Sequence, residues 1–237
     1  MKKYCLSVAI ILAMSAFAAE AEAAEAVADE FAGPYVGLQA GNIWGDADTS
    51  SWHSDPEDTH AFSLNGFGVD GFAGGIFAGH MWRVNNDILF GIEVEVNWAS
   101  ADDMVINNDE PDFPYGAKVE QERDASLMLR VGKDMGGYMP YITAGIARAE
   151  VKVNGFTDWD SYKYGPNRYD SNDAKLSGWT VGVGAEKKFG ENLRVHIQYR
   201  YSDYGDDTWV IAEPNDVNRG KIEHDNHMLN VGLSYRF

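Results

Sequence analysis

Charged side chains recur at alternate positions inside otherwise apolar stretches of this chain. Glu93 and Glu95 alternate with Ile92, Val94 and Val96, while Arg194, His196 and Arg200 alternate with Val195, Ile197 and Tyr199. Arg130, Arg148, Glu150, Glu186, Lys188 and Arg236 stand in similar company. Two carboxylates on one face can act as general acid and base, but this pattern implies no substrate-sized cleft for them. The mixture of signs points instead to charges that neutralise one another in a confined space, where each needs a partner. A narrow gated channel, in which the same network rearranges to pass small ions, is the alternative.

Other groups offer less. The six histidines (His53, His60, His80, His196, His224, His227) lack HExxH or i, i+4 spacing, so no metal site and no resident cofactor are expected. His53 and His60 are candidate axial ligands for haem, because Trp52, Trp159, Tyr162, Tyr164 and Tyr169 offer flat aromatic surface in the long connections. Ser177, Ser202 and His227 are the available pieces of a nucleophilic set, but no motif links them. No enzymatic activity is expected.

The charges alternate with apolar residues because the elements beneath them have a period of two, which means strands. Eight are expected: Pro34–Trp44, Phe72–Trp82, Ile88–Trp98, Val119–Val131, Tyr138–Val153, Leu176–Phe189, Leu193–Tyr204 and Met228–Phe237. In the last, Leu229, Val231, Leu233, Tyr235 and Phe237 share one face, and Asn230, Gly232, Ser234 and Arg236 the other. The connections alternate in length. Gly45–Gly71, Ala99–Lys118, Asn154–Lys175 and Gly205–Asn226 are long; Arg83–Asp87, Lys133–Gly137 and Gly190–Asn192 are short. In an up-and-down barrel this gathers every long connection at one end.

The N-terminus reads as a secretory signal over residues 1–23. Lys2 and Lys3 precede an apolar run from Tyr4 to Phe17, with small-residue cleavage sites between Ala18 and Ala24. Cys5 leaves with that signal, so an exported chain folds without disulfides. A net charge of -18 argues against nucleic acid as a partner, since phosphate binding needs clustered Lys and Arg. Before the closing Lys118, the first two long connections carry acids without a Lys or Arg, with Asp46, Asp48, Asp55, Glu57, Asp58 and Asp70 in one. Such loops are expected to be solvated and to resist aggregation.

A soluble ligand-binding barrel would need an apolar interior, and the alternate charges forbid one. Facing lipid, each charge would cost about 2–4 kcal/mol near the midplane. The fold class that satisfies both limits is all-β: an eight-stranded antiparallel up-and-down transmembrane β-barrel over residues 33–237, after a periplasmic lead at 24–32. The eleven charged groups then line its lumen. Trp44, Trp98, Trp179 and Tyr201 are expected to form one interfacial girdle, and Phe90, Tyr141, Phe189 and Phe237 the other.

The segments Gly33-Pro34-Tyr35-Val36-Gly37, Gly74 to Trp82 with Phe90-Gly91-Ile92-Glu93, and Asn230 to Phe237 carry a resemblance. The chain resembles the OmpA-like eight-stranded outer-membrane barrels. More narrowly, it looks like the alphaproteobacterial surface proteins that include the major outer-membrane proteins of brucellae and rhizobia. His80-Met81 stands where relatives often show Tyr-Asn. The resemblance implies an abundant, non-enzymatic envelope protein of the outer membrane, with long loops extracellular and termini periplasmic. Its implied partners are outer-membrane lipid and lipopolysaccharide, the barrel assembly machinery, and haem or host surface molecules.

Overall fold

The computed structural model describes residues 30–54, 59–107, 115–156, 171–213 and 216–237. Eight strands follow in chain order: β1 (Gly33–Ser54), β2 (Thr59–Arg83), β3 (Ile88–Asn107), β4 (Tyr115–Lys133), β5 (Tyr138–Phe156), β6 (Ser171–Phe189), β7 (Leu193–Glu213) and β8 (Asp216–Arg236). Each pairs antiparallel with the next, and β1 pairs with β8, so the sheet closes into a barrel. Closure leaves no open sheet edge, which is what lets strands cross lipid. The expected signal and most of the expected lead, residues 1–29, lie outside the described residues.

The strand count and order are as the alternation predicts, but the strands are much longer. They run 19 to 25 residues, where about 9–11 suffice to cross a bilayer. Among the described residues, the long connections are strand. Pairing continues to Ser54↔Thr59, Asn107↔Tyr115, Asn154↔Ser171 and Glu213↔Asp216. Three tight turns at residues 84–87, 134–137 and 190–192 close the opposite end. The barrel therefore has a turn end and a hairpin end.

Polarity inverts between the two. Nearer the turns, Leu38, Ile76, Val94, Leu129, Val183 and Leu233 point outward and are exposed, forming an apolar belt. Toward the hairpins the apolar side chains are inside: Ile43, Phe67, Val69, Val119, Val151 and Leu176 are buried in one cluster. The outer wall there is polar, with Asp46, Asp48 and Glu223 exposed. Ion pairs lie along it, Arg123–Glu150 at 2.8 Å and Lys152–Glu122 at 2.6 Å among them. Trp44, Trp98 and Trp179 face outward near the change, where amphipathic rings suit an interface.

This inversion corrects the expected phase of β5. Val151, Val153 and Ala149 are aliphatic because they pack inside the hairpin half, not because they touch lipid. Carried down the strand by the period of two, that face reaches Thr143 and Tyr141, which are buried, while Ile142 and Ile146 are exposed. Tyr141 therefore belongs to the lumen and not to the second girdle. Phe90, Phe189 and Phe237 do face outward.

Inward glycines make room for the lumen's rings. Tyr35 pairs across strands with Gly79, Tyr141 with Gly184, and His196 with Gly232. A Cβ on Gly184 would lie 2.4 Å from Tyr141 Cζ. At the turn end Glu30, Phe31 and Ala32 tuck into the mouth, so the last residues of the expected periplasmic lead are part of the barrel. Phe31 is fully buried against Tyr35, Phe77, Met81, Leu89 and Met139.

In the hairpin half, His224 stacks on Tyr204, with ring centroids 5.5 Å apart. Its Nδ1 lies 3.0 Å from the Asp46 carbonyl and its Nε2 2.8 Å from Gln121 Oε1. Burial pushes its pKa down to about 4, against the Asp46 bond and the charges of Asp124 and Asp46, which favour the cation. An unfolded histidine titrates near 6.5, so the unfolded chain binds the extra proton between the two values. Stability is then lost as pH falls from about 6.5 through about 4, by up to about 3 kcal/mol. Thermal unfolding of the refolded barrel across that window should show the loss, and His224→Gln should remove it; an equal loss in the variant would refute the assignment.

Candidate functional site: the charged lumen

Two arginines organise the interior at the level of the apolar belt. Arg130, on β4, donates from Nη1 to Glu93 Oε2 at 3.0 Å and from Nη2 to Glu186 Oε2 at 2.7 Å. Its guanidinium lies 3.6 Å from the centroid of the Tyr141 ring, a cation–π contact. The Tyr35 hydroxyl donates to the same Glu93 oxygen at 2.6 Å. Nearer the hairpins Arg200, on β7, donates to Glu95 Oε2 at 2.6 Å and to Asp124 Oδ2 at 2.5 Å. Both arginines are 0–1% exposed. Polar side chains fill the space around them: Gln39 donates to Asn97 at 2.8 Å, and Thr180 and Ser202 hydroxyls meet at 2.9 Å.

A third set closes the turn end. Arg194 donates to the carbonyls of Glu30 at 2.5 Å and Phe31 at 3.4 Å, and lies 3.6 Å from Glu186. Arg236 donates to the Ala32 carbonyl at 3.0 Å, and Lys188 reaches Glu30 at 3.2 Å. These cations hold a strip of backbone over the mouth by charge-assisted bonds.

Of the charged groups expected in the lumen, Glu93, Glu95, Arg130, Glu186, Arg194, His196 and Arg200 are buried there, with Lys188 and Arg236 at its rim. Arg148 and Glu150 are not. Arg148 is exposed on the outer wall, and Glu150 pairs outside with Arg123. Their error is that of β5, whose aliphatic face was assigned to lipid. Asp124 was missed, although Arg130, Met128 and Ser126 lead to it by steps of two. Tyr35, Tyr141 and Gln39 were missed as well, and only their strand phase could have found them.

The other candidates separate. Ser202 points into the barrel, whereas Ser177 is exposed outside it, and His227 faces outward with Nδ1 2.7 Å from the Tyr199 hydroxyl. They form no nucleophilic set. Backbone register places His53 directly opposite His60 where β1 and β2 approach their tip. Trp159, Tyr162, Tyr164 and Tyr169 lie outside the described residues. Among the described residues no group of three His, Cys, Asp or Glu side chains is arranged to hold a metal ion.

A barrel with a lipid-compatible belt and charged interior meets its sequence relatives here. The outer membrane protein beta-barrel domain family matches residues 9–237. The chain belongs to that family. This outer-membrane barrel is 29% identical to the 25 kDa outer-membrane immunogenic protein of Brucella abortus over 245 residues, covering 97% of each. It is 28% identical to the 22 kDa outer membrane protein of Rhizobium leguminosarum bv. viciae over 181 residues, 74% of this chain and 73% of that one. In fold it is similar to the outer membrane protein OprG of Pseudomonas aeruginosa, with a TM-score of 0.53 and 15% identity over 90% of this chain and 100% of that chain.

The two arginines placed alike in the sequence should behave differently in this outer-membrane barrel. Arg130→Ala strands Glu93 and Glu186 in a buried site and should cost about 3–5 kcal/mol. Arg148→Ala removes an exposed charge and should change stability by no more than about 0.5 kcal/mol. Urea unfolding from detergent micelles, followed by tryptophan fluorescence, compares them directly. A large loss in Arg148→Ala would contradict its outward position.

Proposed function

We propose that this outer-membrane barrel is a non-enzymatic envelope and surface protein whose lumen is closed. In this reading the hairpin end faces the outside and the turns and both termini face the periplasm. The observation that carries it is the filling of the interior by the described side chains, from the turn end into the hairpin half. An apolar cluster occupies the hairpin half, paired charges the belt half, and Phe31 the turn end. An eight-stranded barrel has an interior just wide enough for such side chains. The apolar belt would contact lipid and lipopolysaccharide, and the last strand would engage the barrel assembly machinery. What the protein offers to the outside is then the polar outer wall of its long hairpins. On β1, β8 and β7 this wall carries Asp46, Asp225 and Asp203 in one cross-strand row, and Asp48, Glu223 and Asp206 in another.

A low-conductance porin is the competing role. Planar-bilayer recording of the purified protein decides between them: silence or rare small flickers is expected, and steady, reproducible conductance steps would overturn the closed reading.

A second reading is favoured by the His53↔His60 register alone. Cross-strand neighbours stand about 5 Å apart at Cβ, so the hairpin tip brings two imidazole-bearing positions together for haem. Titration with haem should then give a saturable Soret shift that is lost in His53→Ala with His60→Ala. An unchanged shift in that variant would leave the surface-protein role without this ligand.

A further inference from the structure

Aromatic rings gather on one sector of the outer wall, where the apolar belt meets the polar hairpin half. His227 lies at their centre, its ring centroid 5.8 Å from Trp44, 5.9 Å from Tyr199 and 5.0 Å from Tyr201. Trp179 meets Tyr201 edge-on at 5.5 Å. The Tyr199 hydroxyl, 2.7 Å from His227 Nδ1, fixes the imidazole among them. Rings from β6, β7, β8 and β1 thus form one continuous surface, with Trp44, Trp179 and Tyr199 exposed.

Carboxylates border these rings. Register sets Asp46 opposite Asp225, Asp225 opposite Asp203, and Asp203 opposite Trp179, one row toward the hairpins from Trp44, His227 and Tyr201. Asp70, on β2, stands across from Trp44 on its other side. Asp46 and Asp70 are exposed, and Asp203 and Asp225 half-buried. Among the described residues no Lys or Arg pairs with any of the four. Lys221 is engaged one row further out, with Glu223 and Asp206.

Anchoring at an interface does not require this arrangement. On the opposite side of the barrel Trp98 also faces outward near the change of polarity, and its cross-strand partner is Arg123, itself paired with Glu150. There the chain supplies ring, cation and carboxylate together. Around His227 it supplies rings and carboxylates. The face of an aromatic ring is the negative part of its quadrupole and attracts an ammonium group, and the carboxylates add full charge. Both are complementary to an organic cation, and phosphate is repelled. Toward the turns Leu38, Leu229 and Val231 continue the apolar belt on β1 and β8. A ligand that covers the whole sector therefore has an apolar tail and a cationic head.

We propose that the sector around His227 is a binding site for a membrane lipid with an ammonium headgroup, in the leaflet at the hairpin end. The rings of Trp44, Tyr201 and Trp179 receive the ammonium, Asp46, Asp225 and Asp203 neutralise it, and the belt takes the chains. The site rests on the lipid contact of the belt proposed above and is independent of the closed lumen. Bound there, the headgroup also relieves the repulsion between carboxylates placed directly opposite one another, so occupancy stabilises the pairing of β8 with β1 and β7.

Titration of the full-length barrel in dodecyl maltoside micelles with dodecyltrimethylammonium chloride, kept at low mole fraction, tests this by NMR. The indole N–H signals of Trp44 and Trp179 should move saturably, while that of Trp98 stays in place. Trp44→Leu keeps the apolar surface and removes the ring; read at Trp179, it should weaken binding about five- to tenfold. Asp46→Asn with Asp225→Asn should weaken it at least as far. Shifts that do not saturate, equal shifts with dodecyl phosphate, or full affinity in Trp44→Leu would each overturn the proposal. Tetramethylammonium chloride binding as tightly as the amphiphile would overturn the lipid as its ligand. Quenching of tryptophan fluorescence by a neutral detergent brominated in its chain reports belt contact separately. A quenched belt without ammonium binding therefore refutes this site alone.

Discussion

Closure of the β1–β8 seam is the constraint from which the rest of this structure follows. In lipid no water is present to satisfy a free strand edge, so every backbone donor and acceptor must be matched around the ring. With eight strands the ring is narrow, and its inward positions cannot be left to solvent. Each large side chain inside needs a small one opposite. That is why Tyr35, Tyr141 and His196 sit across from Gly79, Gly184 and Gly232. The glycines are set by the aromatic and charged groups, and those groups by the need to fill the ring. The seam itself is finished at the chain end, where Phe237 N donates to the Pro34 carbonyl at 3.1 Å, while Asn192 Nδ2, in the β6–β7 turn, holds the other side of β8 through the Arg236 carbonyl at 2.7 Å.

Along each strand the same period of two serves two solvents in turn. Within the belt, apolar side chains point out and polar ones in, because lipid is outside. In the hairpin half water is outside, and the apolar side chains turn inward as in a soluble barrel. Irregularities of register fall in this half on several strands, at Ala47/Thr49, Trp98/Ala101, Gln121/Arg123 and Asp203/Asp206. Bulges of this kind bend and twist a strand locally. They accompany the passage from one solvent to the other and leave the ring closed.

Strand number, order and turn positions were legible because alternation and turn residues are local signals. Lumen residues were legible wherever the strand was read inside the belt, as with Glu93, Glu95, Arg194 and Arg200. Reading failed where one phase was extrapolated across the change of solvent. On β5 the aliphatic run Ala147 to Val153 lies beyond the belt, so it named the wrong face as lipid-facing and carried Arg148, Glu150 and Tyr141 with it. The long hairpins were hidden for a related reason. Asp46, Asp48, Asp102 and Lys118 look like loop residues when lipid is assumed to be the only environment of a strand. Phe31 gave a signal that was passed over: a bulky aromatic at the end of an Ala- and acid-rich lead has little reason to stay in water.

A filled interior also limits where recognition can happen. Displacing the Phe31 strip at the turn end would break the bonds that Arg194 and Arg236 make to backbone carbonyls. Entry from the other end would have to part the apolar cluster of Ile43, Phe67 and Val69. Neither cost is met by the weak attraction of a small solute for a polar wall. On the closed-lumen reading proposed above, the lumen charges act as internal fastening and not as a path. That reading leaves partners the outer wall, which carries carboxylates on both of its sides. The β4 and β5 side carries carboxylates matched by Arg123 and Lys152, while on β1, β8 and β7 two rows of carboxylates stand side by side, with Lys221 paired to Glu223 and Asp206 of one row. Burial and the neighbouring Asp46 already push the Asp225 carboxyl upward there. Like charges placed directly opposite oppose strand pairing, so the pairing of β8 with its neighbours there draws on Lys221 and on water and counter-ions outside as well as on the seam within.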